Sequence, residues 1–200
     1  RPKILMKSLV ELLEDENKQQ QYTLYCDMDG VLCDFDSRFL QVLGDIGKKH
    51  YSTKGITSAQ DFEDKYGKEE FWKFIDKTVG VRYWVGMDWT PSGAKLWNFI
   101  KKYDPILLTS PSRDNNSRLG KRLWVKNHIP GTPVVFKYSK VKQEMATPTS
   151  ILIDDRKDTI DRWIAAGGIG IYHPTNTYNI DKVIEQLVDV YEGKSSEEGV

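Results

Sequence analysis

The chain has 200 residues, of which 29 are Lys or Arg and 29 are Asp or Glu, so its formal net charge is zero. This length suffices for one domain with a sizeable core, and the 39% hydrophobic and 29% charged residues are ordinary for a soluble globular protein. The balanced charge argues against a general nucleic-acid binder, which usually carries a basic excess. No apolar run is long enough to span a bilayer, and no signal peptide is recognisable. We expect Cys26 and Cys33 to be reduced thiols in a cytoplasmic protein that has no membrane partner and no stable nucleic-acid partner.

Residues 1–21 are mostly polar and predict a helical N-terminal extension, and residues 193–200 predict a disordered tail. Between them, short apolar runs alternate with helical patterns. The runs are almost continuously apolar, as in strands that are buried on both faces. Their alternation with helices predicts an α/β fold, namely a doubly wound, Rossmann-like parallel sheet of about five strands. The predicted strands are 22–27, 105–109, 134–138, 150–154 and 168–172.

The interval between the first two predicted strands is far longer than one crossover needs. Within it, Ser58 followed by Asp61 indicates a helix that starts with a capping box, and Gly67 indicates its end. The apolar pattern at 68–78 predicts a second helix. We therefore predict a small helical cap over 37–89, inserted after the first strand.

The core domain is then formed by 22–36 and 90–192. Thr90 followed by Pro91 predicts the start of the next helix, because the pair combines an N-cap residue with proline at the first helical position. Ligands of doubly wound sheets bind beyond the carboxyl ends of the strands, so we expect the cap to cover that edge.

Polar side chains end three of the predicted strands. The carboxyl ends of parallel strands meet at one edge, about 4.8 Å apart, so these side chains are expected to converge. Several carboxylates in one cleft repel each other, and a hard divalent cation with oxygen ligands, Mg²⁺, would relieve the repulsion. An EF-hand calcium loop is excluded, because Gly30 is the fourth residue counted from Asp27 instead of the sixth. The residues expected to converge are Asp27, Asp29, Thr109, Ser110, Asp154 and Asp155.

A Mg²⁺ site flanked by hydroxyl groups suits phosphate chemistry. One carboxylate can attack phosphorus and form an aspartyl-phosphate. A second carboxylate can protonate the leaving oxygen and later deprotonate water. The phosphoryl group also needs hydrogen-bond donors and a positive charge, which hydroxyl groups, backbone N–H groups and a lysine would supply.

The ordered set of motifs resembles that of the haloacid dehalogenase-like phosphohydrolases. The first motif of that family is an apolar strand followed by Asp-x-Asp-Gly, here within residues 26–30. The second is a Thr or Ser that ends the next core strand, here Thr109. The third is a lysine ahead of the acidic strand, and the fourth is an apolar strand ending in Asp-Asp, here Asp154 and Asp155. Each motif is weak alone, but the four in this order span the core domain and are specific together.

The resemblance implies a role for each residue. Asp27 would be the nucleophile and a Mg²⁺ ligand. Asp29 would be the general acid and base, and its backbone carbonyl would bind the metal. Asp155 would be a direct metal ligand that Asp154 supports. The phosphate would contact Thr109, Ser110, Lys142 and, in the loop after the second strand, Arg113.

The third motif is assigned to Lys142. Lys137, Lys140 and Lys142 all precede the acidic strand. Residues 142–146 resemble the start of the short helix that bears this lysine in the family, which favours Lys142.

Within the family, the closest resemblance is to the 5′(3′)-deoxyribonucleotidases. They share Asp-Met-Asp-Gly-Val-Leu-x-Asp-Phe, here residues 27–35, and Thr-Ser-Pro after the second strand, here 109–111. They also share a Trp-Val pair, here 124–125. The resemblance implies a nucleoside monophosphate as the small-molecule partner, with its base beside Phe35 and a cap tryptophan matched to Trp72. A nucleobase stacked on such side chains gains about 1–3 kcal/mol.

Other functions stay open at this point. The same chemistry suits a sugar phosphate or the 3′-phosphate end of a nucleic acid. A phospho-acceptor or binding module without turnover would also collect acidic residues at strand ends, as receiver domains do. In those domains, however, the acceptor is on the third strand, whereas here Asp27 follows the first and has Asp29 beside it. The sequence also leaves open whether the chain forms a homodimer.

Overall fold

The computed structural model describes residues 22–175 and 177–193. The helical extension predicted over 1–21 lies outside the described residues, and so does the tail predicted over 193–200, except for Gly193. Within the described ranges, no helix is both long and apolar enough to cross a membrane.

A five-stranded sheet forms the centre of the described chain. All neighbouring strands pair in parallel, in the order β3-β2-β1-β4-β5. The chain adds strands on one side of β1 and then crosses to the other side, which creates the switch point of a doubly wound sheet between β1 and β4. All five predicted strands are present, four of them shorter by one or two residues at one or both ends. They are β1 (Thr23–Cys26), β2 (Ile106–Thr109), β3 (Val134–Phe136), β4 (Ser150–Asp154) and β5 (Ile169–Tyr172).

Helices fill the intervals between the strands, and several of them lie between β1 and β2, the interval in which the sequence predicts a cap; residues 37–89 are called the cap below. The α-helices are α1 (Phe35–Asp45), α2 (Ala59–Tyr66), α3 (Lys68–Lys73), α4 (Val81–Val85), α5 (Gly93–Ile100), α6 (Asn115–His128), α7 (Lys157–Ala165) and α8 (Asp181–Glu192). Short 3₁₀ helices lie at Gly47–Lys49, Lys101–Tyr103 and Ser139–Met145.

Both faces of the sheet are covered, because successive side chains of a strand point to opposite faces. On one face, Tyr25 of β1 packs edge-on against Trp163 of α7, with ring centroids 5.6 Å apart. On the other face, Leu24 and Cys26 join the larger core. Cys26 and Cys33 are both buried and carry free thiols, as expected for reduced cysteines.

The cap has the local signals that its sequence predicts. At the start of α2, Ser58 Oγ accepts from the Asp61 N–H at 3.1 Å, and Asp61 accepts from the Ser58 N–H at 3.0 Å. This capping box satisfies two backbone donors that the first turn leaves free. Gly67, with φ 88°, ends the helix. The predicted second helix continues as α3 and then widens into one π-helical segment, Phe74–Val79.

The cap rests closely on the core through α4 and α6. A Cβ atom on Gly120 of α6 would lie only 2.4 Å from Cβ of Trp84 on α4. A larger residue at position 120 would push α4 away, so this glycine sets the distance between α4 and α6.

The helix predicted to start at Thr90 and Pro91 begins instead at Gly93. No side chain caps α5, and the Thr90 hydroxyl instead donates to the carbonyl of Val31 at 2.7 Å. A long-range hydrogen bond to the loop after β1 thus replaces the local one that the sequence suggests.

Candidate active site

Three carboxylates meet at the carboxyl edge of the sheet. Asp27 follows β1, Asp154 ends β4 and Asp155 comes next, and one oxygen from each lies within 4.8 Å of the other two. They meet because β1 and β4 are neighbours at the switch point, with Cys26 opposite Ile153. The structure therefore brings together three of the four predicted metal-binding carboxylates.

A buried lysine lies between two of these carboxylates. Nζ of Lys142 is 3.0 Å from Asp27 Oδ2 and 2.8 Å from Asp154 Oδ2, and its side chain is 1% exposed. The short 3₁₀ helix before β4 carries it. Of the other lysines considered for the third motif, Lys137 forms a surface ion pair and Lys140 is exposed. Asp27, Asp154, Asp155 and Lys142 are called the carboxylate cluster below.

The carboxylate cluster holds more negative charge than its lysine neutralises. Burial, and then the charge of Asp27, raises the pKa of Asp155 to about 7. The same two causes raise the pKa of Asp154 to about 6, although Lys142 acts in the opposite direction. Burial lowers the pKa of Lys142, but Asp27 and Asp154 outweigh it, and its pKa is raised overall. A buried, oxygen-only donor set with excess negative charge fits a hard divalent cation such as Mg²⁺.

Asp155 is held in place by residues of two loops. The Thr175 hydroxyl donates to Asp155 Oδ2 at 2.6 Å. Gly30 lies against the same oxygen, because a Cβ atom there would be 2.2 Å from Asp155 Oδ2 and 2.8 Å from Thr175 Oγ1. Gly30 also has φ 79°, a conformation that other residues adopt at a cost. The glycine of the first motif is thus required both by the backbone and by the space that Asp155 occupies.

The carboxylate of Asp29 does not join the carboxylate cluster. It pairs with a second buried lysine, Lys121 of α6, whose Nζ lies 2.6 Å from Asp29 Oδ2. The same Nζ is 2.7 Å from Thr109 Oγ1 and 2.7 Å from the carbonyl oxygen of Ser110. Burial raises the pKa of Asp29, and Lys121 offsets part of this rise. Asp29, Lys121, Thr109 and Ser110 are called the Asp29 network below.

The sequence prediction missed Lys121. On α6, the buried positions include Ser117, Lys121, Trp124 and Val125, which recur at helical spacing. A lysine on the core-facing side of an amphipathic helix is unusual, since lysine is almost never fully buried unless it is paired. That position was the signal available in the sequence.

Phe35 belongs to an aromatic wall next to the Asp29 network. Its ring centroid lies 5.2 Å from that of Tyr83 and 5.9 Å from that of Trp84. The Trp84 ring in turn has Lys121 Nζ 5.1 Å from its centroid. This chain of contacts connects the predicted base-binding residue to the acidic edge of the sheet.

Trp72, the other residue predicted to bind the base, has different neighbours. It is half-buried on α3 and packs edge-on against Phe71, with ring centroids 5.0 Å apart. The ring centroids of Phe71 and Phe35 are 6.3 Å apart. Trp72 and Phe35 therefore share Phe71 as a neighbour, although the described chain shows no ring contact between Trp72 and Phe35.

The phosphate-binding predictions fall on one loop after β2. Thr109 is fully buried, Ser110 is half-buried and Arg113 is exposed, without an ion pair to any described residue. The loop is tied to the cap, because the Ser112 hydroxyl donates to Asp76 of the π-helical segment at 2.9 Å. The pKa of Asp76 is raised overall, because burial outweighs the opposite effect of this hydrogen bond.

No family model matches the chain, and no curated protein matches it. Solved structures with a similar fold include a hydrolase from Streptococcus pneumoniae TIGR4, 16% identical with a TM-score of 0.48, covering 84% of this chain and 99% of that chain. A HAD hydrolase of family IA, variant 3, from Entamoeba histolytica HM-1:IMSS is 14% identical with a TM-score of 0.46, covering 86% of this chain and 99% of that chain. A HAD family enzyme from Bacteroides thetaiotaomicron, in a magnesium complex, is 14% identical with a TM-score of 0.42, covering 78% of this chain and 94% of that chain. At these identities and TM-scores, the likeness does not identify the reaction or the substrate of this chain.

Proposed function

We propose that this chain is a Mg²⁺-dependent phosphomonoester hydrolase of the haloacid dehalogenase-like type, acting on (deoxy)nucleoside monophosphates through an aspartyl-phosphate on Asp27. One observation carries the proposal: the acidic residues at one sheet edge divide into two groups with different charge balance. Asp27 and Asp154 share Lys142 and Asp155 adds a third carboxylate beside them, whereas Asp29 is the one carboxylate paired with Lys121. Phosphoryl transfer needs both a charge-compensated nucleophile and a separate acid.

Mg²⁺ bound by Asp27 and Asp155, and by the backbone carbonyl of Asp29 as the family resemblance implies, would neutralise charge on the phosphoryl oxygens and on the attacking carboxylate. Asp154 would keep its supporting role. Both of its oxygens have partners, Oδ2 with Lys142 and Oδ1 with the N–H of Arg156 at 2.9 Å.

In the first step, a carboxylate oxygen of Asp27 attacks phosphorus, and the bond from phosphorus to the ester oxygen breaks. Asp27 is oriented for this attack, because Oδ1 accepts from the Met28 N–H at 2.8 Å and Oδ2 lies beside Lys142. Protonated Asp29 gives its proton to the leaving oxygen, which departs as an alcohol. Burial raises the pKa of Asp29, which favours this protonated form.

In the second step, water attacks the aspartyl-phosphate, and the bond from phosphorus to Asp27 breaks. Asp29, now ionised, takes the proton from the water, so inorganic phosphate leaves and both aspartates return to their starting forms. Lys142, together with the hydroxyl of Thr109, would stabilise the charge on the phosphoryl oxygens through both steps.

The proposal of a nucleotide substrate is supported by Phe35, the half-buried ring of the aromatic wall; the other two rings, Tyr83 and Trp84, are buried and pack against it. A nucleobase held beside this wall would have its phosphate near the acidic edge of the sheet. Trp72 and Arg113 remain proposed contacts for the base and the phosphate, respectively.

A substrate panel tests the proposal. Phosphate release would be measured with Mg²⁺ for 5′- and 3′-nucleoside monophosphates, with ribose or deoxyribose, for sugar phosphates, and for an oligonucleotide with a 3′-phosphate. We expect the highest kcat/KM for a nucleoside monophosphate, and loss of turnover with EDTA or in Asp27→Asn. The exposed Asp64→Asn variant is the control and is expected to stay active. A sugar phosphate preferred over every nucleotide would overturn the substrate, and turnover retained in Asp27→Asn would overturn the mechanism.

A further inference from the structure

Lys121 is the second fully buried ammonium group of the site, and it lies outside the motifs on which the proposed function rests. We infer that Lys121 is a positioning residue that holds the Asp29 carboxylate in place for its two proton transfers. The inference depends on the proposed function, because it assigns a residue to one of its steps.

The ammonium of Lys121 is fixed by the protein and has no proton left for a substrate. A lysine ammonium has three N–H donors. Here three oxygens lie at 2.6 to 2.7 Å, namely Asp29 Oδ2, Thr109 Oγ1 and the carbonyl oxygen of Ser110. The last two belong to the end of β2 and the loop after it, so the sheet edge itself anchors the lysine. Lys121 therefore acts on the reaction through Asp29.

The Asp29 carboxylate depends on this one partner. Asp29 Oδ1 is buried and has no hydrogen-bond partner among the described residues, so Lys121 supplies the only side-chain or backbone donor recorded for the carboxylate there. Asp27 differs, because it accepts from both a backbone N–H and Lys142. Removing Lys121 would thus leave the Asp29 carboxylate without a fixed orientation.

The stem of Lys121 is enclosed as well. Its side chain is 0% exposed, and the ring of Trp84 lies over its ammonium group. Gly120, the preceding residue, is what lets α4 approach α6 so closely. The cap therefore closes the space through which Lys121 could change its conformation.

The test separates the two chemical steps. The weakly basic 4-nitrophenolate leaves without a proton, so the aspartyl-phosphate forms from 4-nitrophenyl phosphate without help from Asp29. Its decay still needs Asp29 to deprotonate water. In Lys121→Met we expect a burst of 4-nitrophenolate equal to the enzyme concentration, followed by decay about 100-fold slower than in the wild type, the size of a general-base contribution. With a nucleotide, kcat should fall about 100-fold and KM should stay within about twofold, because Lys121 itself has no donor left for the substrate.

The matched control is Lys126→Met, an exposed lysine on the same helix, which should show wild-type rates and no burst. Aspartyl-phosphate would be quantified by acid quench. Wild-type decay in Lys121→Met, or a KM raised as much as kcat is lowered, would overturn the inference alone. No phosphate release by the wild-type protein would overturn the proposed function and this inference with it.

Lys121→Met leaves the Asp29 carboxylate unpaired and could yield too little folded protein. A second variant covers this case. The double variant Asp29→Asn with Lys121→Met removes both charges. If Lys121 acts through Asp29, aspartyl-phosphate should decay within about twofold of the rate in Asp29→Asn alone. A further fall of about 100-fold in the double variant would show independent action and would contradict the inference.

Discussion

The carboxylate cluster and the Asp29 network lie at the same sheet edge, and each contains one fully buried lysine. In the carboxylate cluster, Lys142 faces Asp27 and Asp154 with Asp155 close by, so negative charge is in excess. In the Asp29 network, Lys121 faces one carboxylate and two neutral oxygens, so the charges balance. The first arrangement has negative charge left over for a cation, and in the second, one ionised carboxylate is matched by one ammonium group. In the proposed function, this difference separates the group that would bind the metal from the group that would move protons.

The largest effects on stability are expected when Lys142 or Lys121 is replaced by methionine. Either change leaves buried carboxylate unpaired and should lower the free energy of unfolding by about 3–5 kcal/mol. Mg²⁺ should restore part of this loss in Lys142→Met, because it can take over the charge compensation of Asp27 and Asp154. In Lys121→Met, Mg²⁺ should raise the stability only as much as it does in the wild type, because the carboxylate cluster is intact in this variant. Guanidinium unfolding with and without Mg²⁺ measures the gain in stability of each variant. An equal gain in the two variants would show that the two groups of residues do not differ in their need for a cation.

The same Lys142→Met variant should lose activity even with saturating Mg²⁺. The lost ammonium is a donor to the phosphoryl oxygens in the proposed steps, and removing one such donor costs about 10²–10³ in kcat. Single-turnover kinetics with a nucleotide would measure this. A near-normal rate would place Lys142 outside the chemistry.

Thr175→Val tests the metal affinity of the carboxylate cluster alone. Thr175 donates to Asp155 Oδ2, and loss of a hydrogen bond that orients a metal ligand lowers metal affinity about 10–100-fold. Calorimetric titration with Mg²⁺ or Mn²⁺ checks this without any substrate. The exposed Thr53→Val variant is the control. Unchanged affinity in Thr175→Val would mean that Asp155 is held by other contacts or is not a ligand.

The effects of Phe35→Ala and Trp72→Ala on the KM for a nucleotide show which part of the cap holds the base. Phe35 lies near the Asp29 network, and Trp72 lies farther out. Loss of a stacked ring costs about 1–3 kcal/mol, so Phe35→Ala should raise KM for a nucleotide about tenfold. KM for glycerol phosphate, which has no ring, should not change. Trp72→Ala should have the smaller effect, because Trp72 packs on Phe71 and not on the wall. A larger effect of Trp72→Ala would place the base farther out in the cap.

The smallest expected effect is a pH dependence of Mg²⁺ stabilisation. The pKa of Asp155 is raised to about 7 in the fold, against about 3.9 in an unfolded chain. Between these values the folded state holds a proton that the unfolded state has released, so the metal-free protein loses stability as the pH rises. Mg²⁺ removes this loss, and its effect on Tm should therefore be larger at pH 7.5 than at pH 5.5.

Asp155→Asn provides the control for this pH effect and should reduce the difference to the part that Asp154 contributes, whose pKa is raised to about 6. His173 acts in the opposite direction, because burial lowers its pKa, but its contribution is the same with and without Mg²⁺ and cancels. A Mg²⁺ shift in Tm that is independent of pH would argue against Asp155 as a ligand.

The parts of the fold that depend on local sequence could be predicted. The five strands are short apolar runs, and the capping box of α2 lies within four residues, so neither needs knowledge of distant contacts. The convergence of Asp27 with Asp154 and Asp155 follows from parallel pairing together with the adjacency of β1 and β4. Their roles came from resemblance to a known family.

The features that were missed depend on partners far away in the chain. Lys121 is buried because Asp29, 92 positions earlier, accepts its hydrogen bond. The Thr90 hydroxyl, expected to cap a helix, donates to a carbonyl 59 positions earlier. Thr175 likewise meets Asp155 only through the folded loop after β5. A residue type and its spacing cannot reveal such pairings before the fold is known.

The most direct test of the central claim is to identify the residue that carries the phosphoryl group. The wild-type protein would be acid-quenched during turnover of a nucleoside monophosphate with Mg²⁺, reduced with borohydride and analysed by peptide mass spectrometry. Our account predicts that Asp27 is converted to homoserine, that Asp29 and Asp155 are not, and that EDTA prevents the conversion. Conversion at another aspartate, or turnover with none, would contradict the account.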